Sequence, residues 1–219
     1  MNAVSMRAVR RRTLGLVALM LAGLSSGCAL MSKGEPVTPR YFTPLAEPSS
    51  SGAKAGAPAS ERAPSELRLG QVEPAAHLDE RIAYRVSDAE LAYYADQRWT
   101  EPPEALVRRA LERELFERRG LERVVSGAAP TLDIDVLGFE ELREPPARAR
   151  VSMRLLLHDD RRAQLERTVT VDVPLADGAD RGPALARAMA EALSTAARQV
   201  ADLAITQLDG ARASVATVE

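Results

Sequence analysis

Three stretches decide the fold: LDIDV at residues 132–136, RVSMRLLL at 150–157 and TVTVDV at 168–173. In the first, Leu132, Ile134 and Val136 fall on one side of an extended chain, and Asp133 and Asp135 on the other. In the second, Val151, Met153, Leu155 and Leu157 oppose Arg150, Ser152 and Arg154; in the third, Val169, Val171 and Val173 oppose Thr168, Thr170 and Asp172. Side chains alternate along a strand, so each stretch reads as a strand with one dry and one wet face. Short turns such as His158-Asp159-Asp160 join them into an antiparallel meander, whose dry face needs a cover.

Two helices can supply that cover. Thr100 is placed to cap a helix that begins at Pro102-Pro103, where proline is tolerated in the first turn. Its Val107, Leu111 and Leu115 recur every fourth residue, and Gly120 ends it. A second helix is expected from Pro183 to Leu208, with Leu185, Met189, Leu193, Ala196, Val200 and Leu203 on one stripe and Gly210 as its stop. Upstream, Leu67–Val72, Arg81–Val86 and Leu91–Tyr94 read as short strands, separated by Pro74 and by the Ser87-Asp88 turn. The expected class is α+β, an antiparallel or mixed β-sheet with two main helices packed on one face.

The first 27 residues are of another kind. Arg7, Arg10, Arg11 and Arg12 precede an apolar run from Leu14 to Leu24, and Ser25, Ser26 and Gly27 follow. This is a secretory leader, too short in its apolar part for the roughly 20 residues a spanning helix needs. The whole chain of 219 residues carries a formal charge of -2. Without the four leader arginines, the 29 basic residues drop to 25 against 31 acidic ones, about -6. No basic domain or stripe is present to hold a nucleic acid, so that class of partner is excluded.

Cys28 is the one cysteine, and it stands directly after Leu24-Ser25-Ser26-Gly27. That placement resembles a bacterial lipobox, in which the thiol receives a diacylglycerol, the leader is cut away and the new amino terminus takes an acyl chain. Ala29, rather than aspartate, follows it; by resemblance to the sorting rule of enteric bacteria this favours the periplasmic face of the outer membrane. Several acyl chains give stable anchoring, since each buried methylene contributes about 0.8 kcal/mol. Residues 46–66 consist of Ala, Ser, Pro, Gly and a few charged residues, with no large apolar side chain, a composition that cannot offset its ordering entropy. The expected organisation is therefore a leader at 1–27, anchor and linker at 28–66 with a short extended island at 39–45, and a folded domain at 67–219. Pro44 confines the island to the edge of a sheet.

No catalytic signature is present: no phosphate-binding Gly-rich loop, no Gly-x-Ser-x-Gly elbow and no His-Glu-x-x-His. His77 and His158 each sit beside a turn and read as solvated, a metal or general-base role being the alternative. The acid pairs Asp133/Asp135, Glu140/Glu141 and Asp159/Asp160 could bind a hard cation, but strand alternation and turns account for them as solvated faces. Arg148, Arg150 and Arg154 can sit opposite Asp133 and Asp135, as cross-strand pairs of about 0.2–1 kcal/mol. No metal ligand set and no catalytic residue is assigned.

Only eight aromatic residues occur, and Tyr84, Tyr93, Tyr94 and Trp99 lie within a short stretch that also holds Arg98. The cluster reads either as a partner-binding hot spot or as packing between strands and helix. Tyr93 and Tyr94, adjacent on one strand, can serve both.

Arg81-Ile82-Ala83-Tyr84-Arg85, Leu91-Ala92-Tyr93-Tyr94 and Arg98-Trp99-Thr100-Glu101-Pro102-Pro103, followed by a leucine-spaced helix, resemble the ABC-type transport auxiliary lipoprotein family, PqiC and its relatives. The resemblance extends to the lipobox, the Leu78-Asp79 turn, the meander and the terminal helix; the insert at 46–66 is longer than the family pattern. It implies a fold similar to the TolB N-terminal or LptE-like arrangement. It also implies a non-catalytic outer-membrane lipoprotein working with a mammalian-cell-entry-domain protein and an ABC permease and ATPase, moving phospholipid or other hydrophobic molecules between two membranes. No cofactor is implied beyond the diacylglycerol and N-acyl chain on Cys28. Membrane lipids and further copies of the chain, in a ring-like homo-oligomer, are the other partners it allows. An accessory lipoprotein of another outer-membrane assembly or secretion machine is the alternative.

Overall fold

The computed structural model describes residues 38–44, 65–159, 161–176, 178 and 180–216. The chain divides into two units, residues 1–38 and 39–219; the described residues other than Thr38 belong to the second. The leader, Cys28, most of the 46–66 linker and Asp160 lie outside the described residues.

Among the described residues, eight strands form one mixed sheet. They are β1 (Arg40–Phe42), β2 (Glu66–Pro74), β3 (Arg81–Ser87), β4 (Glu90–Trp99), β5 (Glu122–Arg123), β6 (Thr131–Leu142), β7 (Arg148–His158) and β8 (Ala163–Pro174). The helices are α1 (Pro103–Glu112), continued by a π-helical segment at Arg113–Arg118, and α2 (Arg181–Ala216). β6, β7 and β8 are the antiparallel meander read from the alternation, Leu132 facing Leu157 and Val151 facing Val171. On its other edge β6 is shared: β2 pairs in parallel with Thr131–Val136, and β3 in parallel with Glu140–Leu142. β4 then pairs with β3, and β1 closes that edge in parallel with β4.

The dry face carries the core. Leu132, Ile134, Val136, Met153, Leu155 and Leu157 are all but inaccessible, and they share the core with Val107 and Leu111 of α1, Leu115 of the π-helical segment and Leu185, Met189 and Val200 of α2. Packed apolar side chains of this size contribute about 1.5–3 kcal/mol each on burial. Leu203, placed on the buried stripe by its spacing, is only partly buried.

Several local expectations are corrected. Thr100 does not cap α1: Pro102 occupies the N-cap without a side-chain bond. Thr100 instead extends the β1–β4 pairing, its N–H donating to the Phe42 carbonyl at 3.0 Å and its hydroxyl meeting that of Thr43 at 2.9 Å. β4 runs on past Tyr94 to Trp99, because an irregularity absorbs the residues between the pairs Ala83–Tyr93 and Arg81–Arg98. Gly210 does not stop α2, which continues to Ala216. At the end of the π-helical segment, by contrast, Gly120 adopts φ 70°, and the Leu121 N–H returns to the Leu115 carbonyl at 3.1 Å, closing the helix as expected.

The π-helical segment has no counterpart in the leucine spacing. It buries Glu114, which accepts from Arg118 at 3.2 Å and Arg119 at 3.0 Å, and Arg119 reaches Asp202 of α2 at 2.7 Å.

Candidate functional site

The site begins with a bulge. In β6, Val136 faces Met153, but the next pair is Gly138–Ser152, so Leu137 is an extra residue in the ladder. Parity therefore changes: Phe139 and Glu141 lie on the dry face, paired with Val151 and Ala149, while Glu140 faces Arg150 on the other side. Glu140 and Glu141, expected as solvated, are 3% and 0% exposed. A buried carboxylate needs donors, and both have them.

On the dry face Glu141 accepts from the Tyr94 hydroxyl at 2.5 Å and from Arg181, the first residue of α2. The Arg181 Nε also donates to the Tyr94 hydroxyl at 3.2 Å. Tyr84, opposite Glu141 in the β3–β6 register, meets Tyr94 edge-on with ring centroids 5.0 Å apart. The Arg143 guanidinium lies 3.3 Å over the Tyr84 ring and 4.9 Å from that of Tyr94. Burial, and then the bond to Glu141, push the Tyr94 hydroxyl pKa up, so it remains a donor.

The opposite face carries a charge ladder across four strands. Arg85 grips Glu140 with two bonds, at 2.8 and 3.1 Å, and Arg150 grips Asp172 with two at 2.7 Å. The hydrogen bond from Arg150 lowers the Asp172 pKa. Arg154 pairs with Asp135 as expected, whereas Asp133 is taken by His158 at 2.9 Å and Arg150 turns to β8. His158 is thus an ion-pair partner rather than a free turn residue.

The five aromatic-cluster residues separate into distinct roles. Trp99 is 1% exposed and packs edge-on against Phe139, at 5.4 Å between centroids. Arg98 donates to the carbonyls of Tyr94, Ala95 and Gln97, tying down the irregular stretch of β4. Tyr93 points away from Tyr94: its hydroxyl donates to the His77 carbonyl at 2.8 Å and Arg81 stacks on its ring at 4.0 Å. Tyr84 and Tyr94 share the dry-face cluster with Glu141, Arg143 and Arg181, three residues that the spacing of aromatics does not reveal. The one legible signal was the broken alternation at Leu137-Gly138, where a glycine and a shift of apolar parity mark a bulge. Among the described residues no three or more His, Cys, Asp or Glu side chains stand close enough to hold a metal ion. Nor is any helix among them long and apolar enough to cross a membrane.

A mixed sheet with two helices on one face, its polar side chains engaged with one another, defines an α+β domain. Its sequence places it further: residues 48–201 match the ABC-type transport auxiliary lipoprotein component family, and the chain belongs to that family. Among solved structures it is similar to protein XCC0632 of Xanthomonas campestris, described under DUF330, at 22% identity and a TM-score of 0.64, covering 80% of this chain and 98% of that one. A second, described as an uncharacterized protein, is 17% identical with a TM-score of 0.55, covering 63% of this chain and 90% of that one. These likenesses concern the fold. No curated protein matches the sequence.

Proposed function

We propose that this chain is a non-catalytic lipoprotein on the periplasmic face of the outer membrane. It serves an ABC permease and ATPase, together with a mammalian-cell-entry-domain protein, in moving phospholipid or other hydrophobic molecules between the two membranes. The observation that carries the reading is family membership over residues 48–201, in a sequence where Cys28 follows a basic and apolar leader. Acylation of Cys28 supplies the attachment, and the folded domain supplies the docking surface. The rims of Tyr84, Tyr93 and Tyr94, all half-buried, are the part of the aromatic cluster a partner can reach. Trp99, fully enclosed, acts by holding that surface in place. The non-catalytic part of the reading rests on membership of a family of auxiliary transport components.

Affinity purification of the lipidated chain, with quantitative mass spectrometry, tests the reading. Permease, ATPase and mammalian-cell-entry protein are expected to copurify, and Cys28→Ser is expected to move the chain from the membrane to the soluble periplasmic fraction. Copurification of only an unrelated outer-membrane assembly or secretion machine would overturn it.

A further inference from the structure

Among the described residues the sheet ends at β1, β5 and β8. A bare edge presents a row of unpaired N–H and C=O groups to any extended chain, and proteins blunt such edges with short strands, proline or inward-pointing charge. Two of these ends are blunted by brevity, β1 with 3 residues and β5 with 2. β8 is not. It runs for 12 residues, its register pairs are all with β7, and its proline is Pro174, the last residue. Among the described residues, no backbone hydrogen bond joins it to any strand but β7. Its Thr168–Val173 stretch, TVTVDV, is rich in β-branched residues, which favour extended chain.

The two sides of this edge differ in chemistry. On the dry side Val169, Val171 and Val173 are only 5%, 9% and 9% exposed, although they stand on the last strand, because α2 packs over β8. An added strand would continue that apolar layer. On the wet side β8 carries Gln164, Glu166, Thr168, Thr170 and Asp172, two acids and no base. Arg150 holds Asp172 with two bonds at 2.7 Å. Glu166 is exposed, faces Leu156 in the β7 register, and makes no side-chain hydrogen bond or ion pair among the described residues. The side chain that complements it must therefore come from beyond the edge, and must be basic.

We propose that β8 receives an extended segment of a protein partner as a further strand, with aliphatic residues on the dry side alternating with lysine or arginine on the wet side, one of them opposite Glu166. In strand addition the main-chain hydrogen bonds supply affinity and the alternate side chains supply specificity. A second copy of β8 lacks the basic complement: laid antiparallel about a two-fold axis, it sets only Gln164, Glu166, Thr168, Thr170, Asp172 and Pro174 against the wet row. The proposal rests on the adaptor reading only for the existence of a partner; it adds where that partner binds and with what chemistry.

The test is amide hydrogen exchange of the full-length chain in detergent, read at residues 163–174, during titration with the peptide acetyl-Lys-Val-Lys-Val-Lys-Val-amide. Its control is the same sequence N-methylated at every residue, which keeps the side chains and the charge and removes the backbone donors. The first peptide is expected to slow exchange along β8 saturably, by about tenfold, and the N-methylated one to leave it unchanged. Glu166→Lys, a change at an exposed side chain, should weaken the lysine peptide about threefold and favour its glutamate counterpart. Equal protection by the N-methylated peptide, no protection by the lysine peptide, slowing confined to other strands, or an affinity that Glu166→Lys leaves unchanged would overturn the proposal. So would β8 amides already protected in the free chain and released on dilution, which would put a second copy on this edge. Because the readout uses the purified chain alone, it can fail while transport components still copurify, and succeed when they do not.

Discussion

Glu141 has no exposed surface, and the side chains that meet its carboxyl group come from β4, from the chain after β6 and from α2. Tyr94→Phe removes a hydrogen bond to a buried charge and should destabilise the fold by about 1.5–3 kcal/mol. Tyr93→Phe loses only a bond to the His77 carbonyl, and about 0.5–1.5 kcal/mol is expected; urea titrations of the two variants check the ordering. Trp99→Ala, which empties a fully enclosed site against Phe139, should cost about 3–5 kcal/mol in the same assay. The hydrogen bond from His158 to Asp133 raises the histidine pKa in the folded state. The stabilisation it gives is therefore fully present below the unfolded pKa of about 6.5 and is lost as pH rises through the folded value. Melting curves of the parent and His158→Gln should accordingly differ at mildly acidic pH and converge in alkaline buffer.

Among the elements, the meander was legible because LDIDV, RVSMRLLL and TVTVDV alternate with Leu156 as the single exception, and alternation is a direct record of which face is wet. The same rule failed seven residues beyond Leu132: after Val136 the apolar side chain falls on Phe139, and only a bulge reconciles the two. Because parity carries forward, that one extra residue is what sends Glu141 into the core and with it the whole dry-face cluster. Long-range partners such as Arg181 leave no trace in local spacing. Helix ends were read with mixed success for a similar reason. Gly120 takes a left-handed conformation that its position requires, whereas Gly210 stays helical with nothing near the place of a Cβ. Gly210→Ala should consequently stabilise α2 by about 0.5–1 kcal/mol, seen as a raised melting temperature.

For the whole molecule, the family was legible in the Tyr and Trp segments taken together, while the division of that cluster between core and surface needed the sheet. Charge is also a property at this scale. The 219-residue chain has a sequence pI of about 5.9; removal of the proposed leader, with its four arginines, would lower it, and isoelectric focusing of precursor and cleaved forms checks the shift. The strand β1 joins the domain to everything that precedes it in the chain. Its three residues pair with Gln97, Arg98 and Trp99, Arg40 reaches Asp180 at 3.1 Å, and Phe42 fills the space beside Gly182. Were the chain held by the acylation proposed at Cys28, tension would enter through this strand. A load along its axis would be resisted in shear by that short ladder, so β1 is expected to yield before the β6–β7–β8 sheet, in the manner of a mechanical fuse.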